Sequence, residues 1–154
     1  MVSTKDELSS FVALKGQQGL SEFRLKALVE LIKRDFPDIN SINCEDFFFC
    51  SLSEESKELR IQTEDRLSKI LKAQIVKKEL EADQFILIPR IGTISPWSSK
   101  ATDILSNAGL KHLQRIEKGL CFSLDTQSDL KEKSIIEIGQ KIYCLLYTSD
   151  AADE

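Results

Sequence analysis

Apolar positions along this chain switch between the two-residue spacing of strands and the three-and-four spacing of helices, and the switches delimit its elements. The stretch SSFVALKG, Ser9 to Gly16, predicts a short strand, and Gly16 to Gly19 a polar turn. Ser21 then stands as an N-cap, with Leu20 and Leu25 placed as a hydrophobic staple. Leu20, Phe23, Ala27, Leu28, Leu31 and Ile32 predict an amphipathic helix from Ser21 to about Asp35, closed by Pro37. INSINCEDFFFCSL, Ile39 to Leu52, is rich in β-branched and aromatic residues and predicts a second strand. A polar stretch, Ser53 to Glu64, leads into a helix carrying Leu67, Ile70 and Leu71. QFILIPR, Gln84 to Arg90, is an apolar run ended by proline and predicts an inner strand.

Ser95 caps the next helix, with Pro96 at the first helical position, where its missing N–H costs nothing. Trp97, Ala101, Ile104, Leu105 and Ala108 form the expected core stripe, and Gly109 is placed as the C-terminal cap. KHLQRIEKGLCFSLD, Lys111 to Asp125, predicts a fourth strand with Gly119 at a bulge, and Ser128 to Tyr143 a last helix through Leu130, Ile135, Ile138 and Ile142. Two βαβ halves of similar size fit an α+β fold: a ferredoxin-like, four-stranded antiparallel sheet with helices on one face. INCEDFFFC carries apolar residues at both parities, more than one covered face needs. The open face is therefore expected to meet another domain.

Composition narrows the class. At 154 residues, 42% apolar and 30% charged, the chain is sized for one soluble domain. Its net charge of −4 is spread without a block of like charges, which excludes the concentrated basic stripe that nucleic acid requires. Met1 to Ser10 has no apolar signal core, and no run reaches the 18 apolar residues of a membrane span, so a cytoplasmic protein with no membrane partner is expected. Cys44, Cys50, Cys121 and Cys144 form no CxxC pair, and His112 is the only histidine, so no metal site is expected. On one extended strand Cys44 and Cys50 are about 20 Å apart, too far for a disulfide.

The candidate chemistry lies in GTISPWSSKATDI, Gly92 to Ile104. Nucleophilic catalysis needs a base within reach of the nucleophile, and Ser98 and Ser99 have no nearby histidine. Lys100 and Asp103 are spaced as an i,i+3 pair that keeps the lysine protonated. Two readings remain. In one, the helix N-terminus, the hydroxyls and a lysine hold a phosphate or carboxylate. In the other, Ser95 and Pro96 only start a helix, Trp97 packs, and Ser99, Thr102, Asp103 and Ser106 form its solvated side. Arg90 and Arg115 have the same choice between an anion and a surface ion pair.

RIGTISPWSSKATDI, followed by NAGL and RIEKG, resembles the N-terminal region of the formylglycinamide ribonucleotide amidotransferases of the large single-chain type, also called phosphoribosylformylglycinamidine synthases. LSEFRLKAL, INCEDFFF and FILIPR fall where that family has comparable elements, so the resemblance covers nearly all of Ser9 to Tyr143. Ile91 departs from it, standing where many members have a second proline, which leaves the turn before Gly92 less rigid. The resemblance implies a purine-biosynthesis enzyme, an ATP-dependent C–N ligase that converts formylglycinamide ribonucleotide to the amidine with ammonia from glutamine. It implies that this segment is like the separate small subunit of multi-protein versions and inactive alone. ATP, magnesium and substrate would belong to a synthetase domain and glutamine hydrolysis to a glutaminase domain, both absent here and both its expected partners. No cofactor is expected in this segment.

Under that resemblance Trp97 is the structural anchor of its helix, and Arg90, Thr93, Ser95, Ser98, Ser99, Lys100 and Asp103 face the absent synthetase domain or its cleft, with an anion contact as a secondary role. No residue is expected to be catalytic. Alternatives are a free-standing scaffold bridging separate synthetase and glutaminase chains, or a small-molecule-binding ferredoxin-like module. The TISPWSSKATDI run, which the small subunit lacks, favours the fused enzyme. Isolated, the chain is expected to pair with a second copy through its exposed sheet face. The expected organisation is a ferredoxin-like domain over 1–125 and the start of a helical linker over 126–143. CLLYTSDAADE, Cys144 to Glu154, is what a transposase adapter from sequencing libraries encodes in one frame, so 144–154 is expected to be foreign to the natural protein.

Overall fold

The computed structural model describes residues 11–53, 57–88 and 95–148, with the side chains of 147 and 148 left aside. Its strands are β1 (Phe11–Gln18), β2 (Ile39–Leu52), β3 (Gln74–Ile75), β4 (Gln84–Leu87) and β5 (Leu113–Thr126). Its helices are α1 (Glu22–Lys33), α2 (Lys57–Leu71), α3 (Pro96–Asn107) and α4 (Glu132–Tyr143), the last running into a π-helical turn, Cys144–Thr148. The strands are hydrogen-bonded in the order β3-β1-β2-β5-β4. The fold is α+β with an antiparallel sheet, as the pattern predicts and compatible with a ferredoxin-like arrangement, but the sheet has five strands and not four. The addition is β3, which pairs Leu14 with Ile75 and Lys15 with Gln74. Two residues are too short to generate a periodic signal.

The chain divides into two compact units. Among the described residues the first comprises 11–17, 46–53, 57–78 and 95–119, the second 18–45, 79–88 and 120–148. The first unit closes on Val12 and Leu14 of β1, Phe48, Cys50 and Leu52 of β2, Leu67 of α2, Leu105 of α3, and Leu113 and Ile116 of β5. Gly16, read from sequence as the start of a turn, stays within β1. A Cβ there would lie 3.0 Å from the Phe48 ring and 3.2 Å from the Asp46 Cβ, so glycine permits the close passage of the strand. Cys50 is buried in this core, and desolvation pushes its thiol up to about 12. Cys44 and Cys121 are also buried, while Cys144 is exposed.

The second unit closes on Leu25, Leu28 and Ile32 of α1, Ile39, Ile42 and Cys44 of β2, Phe122 and Leu124 of β5, and Ile138 and Ile142 of α4. Ser21 caps α1 by accepting from Arg24 N at 3.2 Å, as expected. The apolar face of α1 is rotated from the expected one, for Phe23 is 82% exposed and Ala27 is also outside the core. The run 84–87 is not an inner strand: β4 is at the end of the strand order. Its apolar character comes from stacking, with Phe85 5.3 Å from Phe122 between ring centroids and α4 passing the same ring at Gly139. Ile138 and Ile142 have no exposed surface. Burying two such side chains contributes roughly 1.5–3 kcal/mol each, so α4 is integral to this core.

Candidate functional site

Helix α3 starts as its sequence dictates. Ser95 Oγ accepts from Ser98 N at 3.0 Å, Pro96 occupies the first turn, and Gly109 ends the motif at φ 106°, a conformation that suits glycine. The face that α3 buries differs from the expected stripe. Ile104 is 57% and Trp97 38% exposed, while Ser98 has no exposed surface and Leu105 is 5% exposed. The correction has a physical cause in β5. Ser98 Oγ donates to Ile116 O at 2.5 Å, Thr102 Oγ1 accepts from Ile116 N at 3.2 Å, and Thr102 Oγ1 donates to Ser98 O at 2.7 Å. Both backbone groups of Ile116 are thus satisfied by hydroxyls of α3, where an antiparallel neighbour would otherwise satisfy them. The strand β4 pairs only with Leu120 to Ser123, so Ile116 lies outside its reach.

A carboxylate completes this joint. Glu117 Oε1 accepts from Ser95 Oγ at 2.8 Å and from Lys118 N at 3.1 Å, and Arg115 Nη2 lies 3.3 Å from Oε2. Arg115 Nε also donates to Ser98 Oγ at 3.3 Å. The first turn of α3 holds no acidic residue, so Glu117 supplies from β5 the negative charge that the helix N-terminus favours. Periodicity had no means of finding Glu117: its partner Ser95 is 22 residues away. The alternation of Arg115 and Glu117 on one strand was the available signal.

The predicted site residues therefore separate into two groups. Ser95 and Ser98 face inward, and Ser98 is corrected from an outward contact to a buried stitch between α3 and β5. Ser99, Lys100 and Asp103 are exposed, beside the exposed parts of Trp97 and Ile104. No ion pair joins Lys100 to Asp103 among the described residues. Trp97 reaches inward only in part, with its ring centroid 6.1 Å from that of Phe48, so anchoring is shared with Ser98, Thr102 and Leu105. Arg90 and Thr93 lie outside the described residues. Arg115 takes the ion-pair option, with Glu117.

Chemically, α3 is a helix whose inner side is locked to a strand by hydroxyls and whose outer side presents an aromatic, an aliphatic and two opposite charges. No group of histidine, cysteine or carboxylate side chains that could hold a metal occurs among the described residues, nor is any of their helices long and apolar enough to cross a membrane. The family model described as formylglycinamide ribonucleotide amidotransferase N-terminal matches residues 45–144. That span takes in the joint between α3 and β5 and ends at the close of α4.

Proposed function

The chain belongs to the formylglycinamide ribonucleotide amidotransferase N-terminal family, and from that premise we propose that it serves as a docking domain for the synthetase domain of a larger purine-biosynthesis enzyme. The outward side of α3 is the docking surface, with Trp97 and Ile104 as apolar contacts and Ser99, Lys100 and Asp103 as polar ones. The reaction assigned to the enzyme is ATP-dependent amidine formation on formylglycinamide ribonucleotide, with magnesium in the synthetase domain and ammonia from a glutaminase domain. This domain supplies no catalytic group, and the enzyme works in the cytoplasm.

One observation carries the reading. The inner side of α3 is fixed by buried hydroxyls while its outer side leaves Ile104 57% exposed, a combination that suits a rigid helix presented to a partner. The anion alternative is weaker, because Ser95 Oγ donates to Glu117 and a bound phosphate would have to displace that carboxylate. The test is Ile104→Glu in the full-length enzyme. The side chain is exposed in the domain itself, so folding should be spared. Turnover with glutamine and ATP should fall on the order of tenfold, equivalent to ~1.4 kcal/mol. Unchanged turnover together with an unchanged thermal transition of the whole enzyme would refute the assignment.

A further inference from the structure

The second unit contains a groove of about 600 Å³ between the entry to β4, the end of β5 and the start of α4. Its floor is apolar: Leu124 is 2% exposed, and Leu130 and Ile135 are half-buried against the core of the unit. Its walls include four acidic residues, Glu81, Asp83, Asp125 and Asp129. None of the four forms an ion pair with a described residue. The walls are also held in place. Glu81 N donates to Gln84 Oε1 at 3.1 Å, Leu124 N to Asp83 O at 3.0 Å, Gln127 N to Asp38 O at 2.8 Å and Ser128 Oγ to Asp38 Oδ2 at 2.8 Å.

We propose that this groove is a second docking surface and that its occupant is a basic segment of the larger enzyme, one in which lysines or arginines flank a branched aliphatic residue. The inference rests on the domain's place within that enzyme but on none of the residues of α3. Charge complementarity selects the occupant: four carboxylates that pair with no cation among the described residues repel one another, and cationic side chains set between them relieve that repulsion. The apolar floor selects the rest of its chemistry. Long lysine and arginine stems cover such a floor while their charged ends reach the walls, and an aliphatic side chain fills its centre. Because the walls are already pinned, binding orders little of the groove.

The experiment is carboxyl footprinting with carbodiimide and glycine ethyl ester, read by mass spectrometry, on the isolated 154-residue chain and on the full-length enzyme. In the enzyme, Glu81, Asp83, Asp125 and Asp129 should lose most of their labelling, while exposed Glu58 and Asp65 of α2 keep theirs. Raising the salt should restore labelling at the groove, since partly exposed charge pairs are screened. Equal labelling of the groove in the two forms, or protection that salt leaves unchanged, overturns a cationic occupant. Oxidative labelling of Trp97 in the same samples separates the two surfaces. Protection of Trp97 with a freely labelled groove overturns this inference alone, and absence of protection at both overturns the domain reading on which it rests.

Discussion

Ser98 shows how one polar atom can decide the orientation of a helix. Its hydroxyl is fully buried, donates to Ile116 O and receives Arg115 Nε, so removing it strands a buried carbonyl. Ser98→Ala should destabilise the chain by about 1–3 kcal/mol. Ser99→Ala, one position on and exposed, should change stability by less than about 0.5 kcal/mol. Urea titration of the two variants reads the difference, and equal midpoints would mean that the stitch does not stabilise the fold. This residue was not legible in the sequence. Ser98 and Thr102 count as polar in any periodicity, and it is their hydroxyl bonds to the Ile116 backbone of β5 that make the inward rotation favourable. A second residue prediction concerns Cys50, whose thiol is pushed up to about 12 by burial. The unfolded chain loses this proton near the ordinary thiol value of 9.0, so it binds fewer protons than the folded chain between about pH 9 and 12. The Cys50 contribution is therefore fully present below that window and falls as pH rises through it. Cys50→Val should flatten this part of the stability profile, measured by urea unfolding from pH 8 upward.

At the scale of the element, the N-terminus of α3 inverts a general preference. Aspartate is ordinarily as good an N-cap as serine. Here Ser95 both accepts from Ser98 N and donates to Glu117, and a carboxylate can only accept. Ser95→Asp should therefore lower the thermal transition more than Ser95→Ala does, and Glu117→Gln should rescue the aspartate variant, because the amide can donate and carries no charge. If Ser95→Asp proves as stable as the parent, Glu117 is not coupled to the cap. Elements with strong local signals were legible. Ser21, Pro96 and Gly109 act through adjacent backbone and mark α1 and α3 correctly, and β2 spans the predicted Ile39–Leu52. Elements held by distant partners were not. The helix α2 starts at Lys57, inside the stretch taken as merely polar, because Arg60–Glu64 and Lys69–Asp65 pairs and a Thr63 hydroxyl bonded to Leu59 O support a turn with few apolar residues. Strand β3 exists only through its pairing with β1.

At the scale of the whole molecule, the buried and exposed apolar residues have different duties. Each unit has a closed core, yet Phe23 is 82%, Ile136 53%, Ile104 57% and Trp97 38% exposed. Such residues cost little singly. On a domain proposed to sit within a larger enzyme, those of α3 are surface that the partner would cover, and without it they remain available to a second copy. The isolated chain should therefore self-associate as its concentration rises, as sedimentation velocity would show, and Ile104→Glu should shift it toward monomer. The same substitution then has two readouts with one cause: less association of the isolated chain and less activity of the full enzyme. Self-association that Ile104→Glu leaves unchanged would move the sticky surface elsewhere, with Phe23 of α1 the next residue to replace. A chain that stays monomeric at high concentration would leave the α3 face too weakly apolar to hold a partner by burial, and its docking would have to rely on Lys100 and Asp103. That case would show itself as an enzyme whose activity falls with salt.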